Sequence, residues 1–158
     1  MQPPLKRTCG GLADSADSLQ SRFFAHPCRC KNDARSLLAL CIEASGQALE
    51  ALGPAHSEKS YEEVLCNKLY DARIPVRRQV TMSQVVDQHV VFTGVADLEV
   101  DHRVILELKA NHASISAEHR AQLRRYLRAA SASLKTDDVM LGAIILFTKD
   151  GTLETWQA

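Results

Sequence analysis

The run MLGAIILFT, at residues 140–148, contains no charged residue and no regular alternation of polar and apolar positions. A strand with one face in solvent shows polar residues at every second position, and this run does not. It is typical of a strand that is buried on both faces, as in sheets that carry helices on two sides. The chain is therefore expected to fold around a central sheet with helices covering it.

Apolar residues recur at helical spacing in three other segments, and Val-, Ile- and Thr-rich stretches between them predict strands. Gly53-Pro54 ends the first helix, and Ser57 is the expected N-cap of the second. The predicted helices cover residues 34–52, 57–72 and 116–132, and the predicted strands cover 76–82, 90–100, 103–109, 140–148 and 153–157. The order of two helices, three strands, a helix and a strand predicts an α/β fold and excludes a repeating βαβ barrel.

The length of 158 residues fits one domain, and 46% hydrophobic residues suffice for a core. Residues 1–33 contain prolines, glycines and serines without a period, which predicts a poorly ordered arm before a domain at 34–158. No run approaches the roughly 18 apolar residues of a membrane helix. An intracellular protein is expected, cytoplasmic by default, with organelle targeting left open.

Charge and cysteine content narrow the function classes. Nineteen basic and nineteen acidic residues cancel, so binding to nucleic acid would need a local basic patch. An odd number of cysteines without framework spacing predicts free thiols in a reducing compartment. Cys28 and Cys30 beside His26 are a weaker alternative as metal ligands, because their spacing is not that of a zinc or iron-sulfur site. The five cysteines are Cys9, Cys28, Cys30, Cys41 and Cys66.

The segment VILELKAN, at residues 104–111, places an acid and a base in an apolar strand. Strand alternation puts Glu107 and Lys109 on the same face. Asp97 lies ten residues earlier, in the preceding strand. It faces Glu107 only if the hairpin loop has three residues, Asp101, His102 and Arg103, whereas a two-residue loop would place the two acids on opposite faces.

Two adjacent carboxylates repel each other unless a cation holds them, and oxygen ligands suit Mg²⁺ or Mn²⁺. With Lys109 beside them, Asp97 and Glu107 would suit metal-assisted phosphodiester hydrolysis. The alternative is that Glu107 and Lys109 form a surface ion pair and Asp97 is a solvated strand residue. The spacing by itself favours neither interpretation.

Asp97 followed by Glu107-Leu108-Lys109, within the predicted order of elements, resembles the core of the PD-(D/E)xK nuclease superfamily, which has the restriction-endonuclease-like fold with a central mixed sheet flanked by helices. More narrowly, LGPAHSEKSYEEVL followed by IPVRRQV, TGVADLEV, VILELKA and AQLRRYL is similar to the GxxExxY family. The similarity covers about residues 42–147. Glu58 and Tyr61 match the named Glu and Tyr, while Ala55 stands where the motif has Gly.

The resemblance implies roles for individual residues. Asp97 and Glu107 would ligate Mg²⁺ or Mn²⁺, assisted by the Leu108 carbonyl, and Lys109 would be the catalytic lysine. Glu58 would be the helical acid that completes the site, with Glu62 as the second choice. Gln122 and Tyr126 match a Q-L-x-x-Y-L helix motif, with Gln122 expected at the site and Tyr126 in the core; alternatively, Gln122 only caps Tyr126.

The predicted function is a metal-dependent nuclease that hydrolyses nucleic-acid phosphodiester bonds by metal-activated water. DNA is favoured over RNA as the substrate, and a homodimer or an additional protein partner is left open. A catalytically silent nucleic-acid-binding module and a protein-interaction domain are the alternatives. The local basic patch is predicted at Arg124, Arg125 and Arg128, with Arg73, Arg77 and Arg78 elsewhere. Five histidines have no metal spacing and are predicted at the surface: His56, His89, His102, His112 and His119.

Overall fold

The computed structural model describes residues 33–133 and 140–158. Within them the chain forms three helices and five strands in the predicted order. They are α1 (Ala34–Leu52), α2 (Glu58–Asp71), β1 (Val76–Val86), β2 (His89–Val100), β3 (Val104–Ala110), α3 (Ala117–Ser133), β4 (Leu141–Phe147) and β5 (Leu153–Gln157). The arm predicted at residues 1–33 lies outside the described residues except for Asp33. None of the described helices has the length and apolar character that crossing a membrane demands.

Side-chain caps fix where the first two helices begin. The Asp33 carboxylate accepts a hydrogen bond from the Ser36 N–H at 2.7 Å, and the Ser57 hydroxyl accepts one from the Ser60 N–H at 3.2 Å. Each cap satisfies a backbone donor that the helix itself leaves unpaired. α1 ends at Gly53, whose φ of 78° lies in the region that glycine adopts without steric cost. The predicted N-cap Ser57 is confirmed.

The five strands form one mixed sheet in the order β1-β2-β3-β4-β5. β3 and β4 pair in parallel, and the other neighbours pair antiparallel. A parallel pair needs a crossover connection, and α3 lies in that connection. The predicted α/β fold, with a central mixed sheet flanked by helices, is confirmed.

Each face of the sheet has its own hydrophobic core. α1 and α2 cover one face, where they meet Leu106, Leu108 and Ile145, and α3 covers the other, where it meets Ile105 and Ile144. Alternate residues of β3 and β4 therefore enter opposite cores, as strand geometry requires. The two-sided burial predicted for residues 140–148 is confirmed over β4.

The hairpin of β1 and β2 is longer and less regular than predicted. β1 continues to Val86 and not to residue 82, because its outer part is a two-stranded ribbon with polar and exposed residues that carry little periodicity. Val76 packs in the core on the face covered by α1 and α2, whereas Val80 and Met82 pack in the core on the face covered by α3. Gln79, between them, has a φ of 50°. The strand thus changes its buried face at Gln79.

Two of the five cysteines fall within the described residues. Cys41 and Cys66 are free, as predicted, and both are buried. Burial raises the pKa of the Cys41 thiol to about 12 and that of Cys66 to about 11, so both stay protonated at neutral pH. Cys9, Cys28, Cys30 and His26 lie outside the described residues.

Candidate active site

The hairpin between β2 and β3 determines where Asp97 points. Val100 pairs with Val104 and Leu98 with Leu106, which leaves residues 101–103 as a three-residue loop. The loop length that places Asp97 and Glu107 on the same face is therefore the one present. The Asp97 carboxylate accepts a hydrogen bond from the Leu108 N–H at 2.7 Å.

Glu107 and Lys109 form an ion pair on the shared face of β3. The Lys109 Nζ lies 2.7 Å from Glu107 Oε1, and the side chains of Lys109 and Glu107 are only 14% and 2% exposed. The alternative of a surface ion pair is wrong, because both side chains are largely buried. A buried pair of this kind needs well-placed partners, since the loss of hydration is costly for both charges.

The electrostatics of the cluster favour neutralisation of its acids. Burial raises the pKa of Asp97, although the Leu108 N–H acts in the opposite direction. Burial and the neighbouring Asp97 charge raise the pKa of Glu107 to about 7. Burial acts to lower the pKa of Lys109, but its hydrogen bond to Glu107 and the surrounding acids outweigh this and raise it. Lys109 is therefore a cation at neutral pH, and the acids attract a proton or a metal ion.

The start of α2 brings Glu58 to the end of β3. Ser57 caps the helix, Glu58 lies in its first turn, and its carboxylate accepts a hydrogen bond from the Ala110 N–H at 3.1 Å. The Tyr61 hydroxyl donates to the Gly53 carbonyl at 2.7 Å, and its ring stacks on Phe147 at 3.9 Å between centroids. These contacts fix the first turn of α2 against the sheet, and Asp97, Glu107, Lys109 and Glu58 gather around the C-terminal half of β3.

Glu62 and Gln79 extend the cluster on the β1 side. Glu62 is buried, whereas its position on the helical wheel had placed it at the flank. Its two oxygens accept from Arg78 Nε at 2.6 Å and from Gln79 Nε2 at 3.1 Å. Gln79 Nε2 also lies 3.5 Å from Asp97 Oδ1. Gln79 was not among the predicted site residues, and nothing in the spacing of the IPVRRQV segment identifies it.

Gln122 and Tyr126 contact each other on α3. The Gln122 amide donates to the Tyr126 hydroxyl at 2.9 Å, which is the capping contact of the alternative interpretation. Tyr126 is buried and contacts Phe92, so its predicted place in the core is confirmed. The membership of Gln122 in the site stays a prediction.

Two histidines lie around the start of α3: His112 in the loop before the helix and His119 in its first turn. His119 Nδ1 accepts from the Ser116 N–H at 3.3 Å, and its ring centroid is 5.1 Å from that of His112. Burial lowers the pKa of His119, and the positive charge of Lys109 lowers it further. His119 is partly buried near Lys109 and not simply a surface residue, which no sequence spacing indicated.

The arginines of α3 face solvent. Arg124, Arg125 and Arg128 are exposed, and within residues 33–133 and 140–158 none forms an ion pair with an acid. The Arg124 guanidinium lies 5.2 Å from the centroid of the Trp156 ring, and that of Arg125 lies 5.7 Å from the Phe92 ring. Such cation–π contacts orient a guanidinium without neutralising it.

Arg77 and Arg78, unlike the arginines of α3, form ion pairs with acids. Arg77 pairs with Glu99 at 3.2 Å, and Arg78 pairs with both Glu62 and Glu63. These acids offset part of the positive charge of both arginines, and their contribution to a positive patch stays a prediction.

The acid cluster suits a divalent cation by its donors but is not a finished metal site. In the part of the chain that the structure describes, no three His, Cys, Asp or Glu side chains are placed to hold one ion. One oxygen of Asp97 and one of Glu58 bind backbone N–H groups instead. Glu107 Oε2, however, is the one buried side-chain oxygen or nitrogen among the described residues that has no partner. An unpaired carboxylate oxygen beside a second acid is a donor that Mg²⁺ or Mn²⁺ would satisfy.

The acids and the lysine lie on neighbouring strands at the centre of a mixed sheet, in an α/β protein with helices on both faces of that sheet. The model of the PD-(D/E)XK nuclease superfamily matches residues 35–155. The chain belongs to the PD-(D/E)XK nuclease superfamily, and its sheet and flanking helices form the restriction-endonuclease-like fold. Comparisons with curated proteins and with solved structures find no match.

Proposed function

We propose that the protein is a metal-dependent nuclease that hydrolyses phosphodiester bonds of nucleic acid. The observation that supports this most is the state of Glu107, which is 2% exposed. One of its oxygens binds Lys109, and the other is buried beside Asp97 with no partner among the described residues. A carboxylate left in this state is costly for folding alone, so a ligand that uses it offers a physical reason for the arrangement.

The residues proposed to hold Mg²⁺ or Mn²⁺ are Asp97 and Glu107, with the Leu108 carbonyl and Glu58 nearby. The bound ion would act as a Lewis acid on the scissile phosphate and on the attacking water. The hard oxygen donors of this set and the unpaired Glu107 Oε2 support the assignment.

Lys109 is proposed to stabilise negative charge that develops on the phosphate. Its raised pKa makes it a cation at neutral pH and a poor general base. Its hydrogen bond to Glu107 fixes the ammonium group at the end of β3, where Asp97 also lies. A fixed positive charge in an enclosed site stabilises a transition state more than a mobile charge in water does.

The exposed arginines of α3 are proposed to bind the phosphate backbone. Arg124 and Arg125 present guanidinium groups oriented by aromatic rings, and Arg128 lies one turn further along the exposed side of the helix. Contacts of this kind position a strand without reading its bases. The same contacts would serve DNA and RNA, with DNA as the favoured substrate.

We also propose that the chain belongs to the GxxExxY branch. Ala55, at the Gly position, has a φ of 65°, which is a conformation that favours glycine. Glu58 reaches the end of β3, and Tyr61 anchors the turn before α2. Each of the three motif positions thus has a physical role, and the altered first position keeps its backbone conformation.

The test is cleavage of labelled single-stranded DNA, duplex DNA, branched DNA and RNA in the presence of MgCl₂ or MnCl₂. Wild type, Lys109→Ala and Lys68→Ala would be compared at matched purity. Lys68 is a suitable control because it lies in the last turn of α2, at the opposite end from Glu58. We expect cleavage by wild type and Lys68→Ala, and a loss of at least about 100-fold in Lys109→Ala, as for other groups that stabilise transition-state charge.

Equal cleavage by Lys109→Ala and wild type would indicate a contaminating nuclease and would contradict the proposal. Retention of nucleic acid without cleavage would favour the catalytically silent binding module. In that case replacing Arg124, Arg125 and Arg128 by Ala should weaken retention at low salt. Analytical ultracentrifugation with and without duplex would show whether a second copy is needed to bind it.

A further inference from the structure

Gln79 occupies a strained position in the middle of β1. Its φ is 50°, in the left-handed region that residues with a Cβ avoid. Arg78 pairs with Leu98 and Val80 with Ala96, so Gln79 lies across from Asp97, and these two residues are missing from a register that is otherwise continuous from Val76 to Gln84. Non-glycine residues persist in this conformation only where their surroundings impose it, and they are concentrated at functional sites.

The Gln79 side chain joins the acid cluster to α2. Its amide nitrogen donates to Glu62 Oε2 at 3.1 Å and lies 3.5 Å from Asp97 Oδ1. Glu62 is itself held by Arg78 Nε at 2.6 Å, and the other end of that guanidinium binds Glu63 at 2.8 Å. The hydrogen bond to Glu62 of α2 therefore holds the Gln79 amide in the position from which it faces Asp97.

Asp97 is approached from both neighbouring strands. Its Oδ2 accepts from the Leu108 N–H of β3 at 2.7 Å, and its Oδ1 faces the Gln79 amide of β1. With one donor on each oxygen, rotation of the carboxylate is restricted. A regular strand would not supply the second donor, because β1 changes its buried face at Gln79, between Val76 and Val80.

We propose that Gln79 is a positioning residue that orients the Asp97 carboxylate for metal binding, with Glu62 and Arg78 holding its amide in place. The part that concerns metal rests on the proposed function, whereas the orientation of Asp97 does not. Residues behind a metal ligand commonly change metal affinity by 10- to 100-fold when they are removed.

The first variant to test is Gln79→Gly, because it separates backbone strain from the side-chain contact. Glycine adopts a φ of 50° freely, so the melting temperature should stay equal to that of wild type or rise, even though the amide is lost. Gln84→Gly is the matched control: it removes a glutamine from the same strand at a residue without positive φ, and it should lower the melting temperature.

The Leu108 amide provides a readout that needs no metal. In Gln79→Gly we expect its ¹H NMR signal to move and its hydrogen exchange to speed up, because Asp97 Oδ2 is then less firmly held against it. β2 separates Leu108 from Gln79, and Asp97 contacts both residues, so we expect an effect at Leu108 to pass through Asp97. Gln79→Asn should give the same change, since asparagine tolerates this backbone conformation but is one methylene too short to reach Glu62.

Calorimetric titration with MnCl₂ completes the experiment. We expect about a tenfold loss of Mn²⁺ affinity in Gln79→Gly and Gln79→Asn, and none in Gln84→Gly. An unchanged Leu108 amide in both Gln79 variants would overturn the positioning role. Unchanged Mn²⁺ affinity in those variants would overturn its link to the metal. If wild type binds no Mn²⁺, the proposed nuclease site fails, while the Leu108 signals still decide whether Gln79 holds Asp97.

Discussion

In the β3–β4 pair, seven consecutive residues of each strand are in register, and both faces are covered by helices. In the β1–β2 hairpin, the register is interrupted at Gln79 and Asp97 and shifts between Gln84 and Val85. Its outer part carries exposed valines. The β3–β4 pair contributes most of the buried, regular part of the sheet. The β1–β2 hairpin contributes Asp97 to the candidate site, at the point where its register is interrupted. The candidate site therefore lies where the regular pair, which carries Glu107 and Lys109, meets the irregular hairpin, which carries Asp97.

The largest effect is expected from a cavity in the regular pair. Ile145→Ala removes a fully buried side chain of β4 and should lower the free energy of unfolding by about 3–4 kcal/mol. Val91→Ala, at a hairpin residue that is 58% exposed, should change it by no more than about 0.5 kcal/mol. Urea denaturation of both variants measures the contrast. Similar losses in the two would show that the hairpin is as much a part of the core as β4.

A pH effect is expected where the two regions meet, at Glu107. Its pKa is raised from 4.5 to about 7 by burial and by Asp97, so the folded protein holds a proton that the unfolded chain releases. In the presence of EDTA, the contribution of Glu107 to the free energy of unfolding is fully present below pH 4.5, where the side chain is protonated in both states. It is lost as the pH rises through 7. The loss is on the order of 3 kcal/mol, at 1.36 kcal/mol per pKa unit.

Glu107→Gln lacks this titration and is the matched control. The difference in unfolding free energy between Glu107→Gln and wild type should grow in favour of the variant from pH 5 to pH 8. Chemical denaturation at several pH values tests this. If the unfolding free energies of the two proteins changed with pH in the same way, Glu107 would be exposed to water and its pKa would not be raised.

A smaller loss is expected at Gly94, where β2 of the hairpin lies close against two aromatic rings. A Cβ at Gly94 would lie 2.7 Å from Tyr126 Cε1 and 2.8 Å from Phe92 Cζ. Gly94→Ala should therefore lower the unfolding free energy by about 1–2 kcal/mol, through displacement of the ring of Tyr126. Thermal denaturation beside Val95→Ala, at an exposed neighbour, gives the comparison. If Gly94→Ala left the unfolding free energy unchanged, α3 would not pack closely against β2.

The smallest effect is a gain, at an irregular backbone position outside the hairpin. Ala55→Gly should raise the unfolding free energy by about 0.5–1 kcal/mol, because φ at residue 55 is 65°. Ala39→Gly, at an exposed position within α1, should instead lower it by about 1 kcal/mol. Denaturant titration of the two variants should give opposite signs, and a loss in both would exclude strain at Ala55.

The regular region could be predicted from the sequence because its geometry is periodic. Strand alternation placed Glu107 and Lys109 on one face. The position of Asp97 stayed open between two loop lengths, and the structure shows the three-residue loop that brings it to the same side. The predicted interior strand at 140–148 and the helix ending at Gly53 depend on the same kind of local pattern. Local periodicity was sufficient wherever an element keeps one geometry along its length.

The rest of the site depends on contacts between distant elements. Glu62 is buried because Arg78 and Gln79 reach it from β1, and helical periodicity places it only at the flank of α2. The face change at Gln79 comes from a single residue with positive φ, which leaves no pattern in composition. His119 approaches Lys109 only because the chain crosses over between β3 and β4. Contacts of this kind depend on the topology of the fold and not on the spacing of residues along the chain.

Trp156 gives the protein an intrinsic optical probe. It is the only tryptophan in the sequence, and the guanidinium groups of Arg120 and Arg124 lie 5.7 and 5.2 Å from its ring centroid. A polyanion that draws these groups away from the ring should change its fluorescence. Association at α3 could then be followed in stopped flow with unlabelled ligand, on a timescale separate from any chemistry at β3.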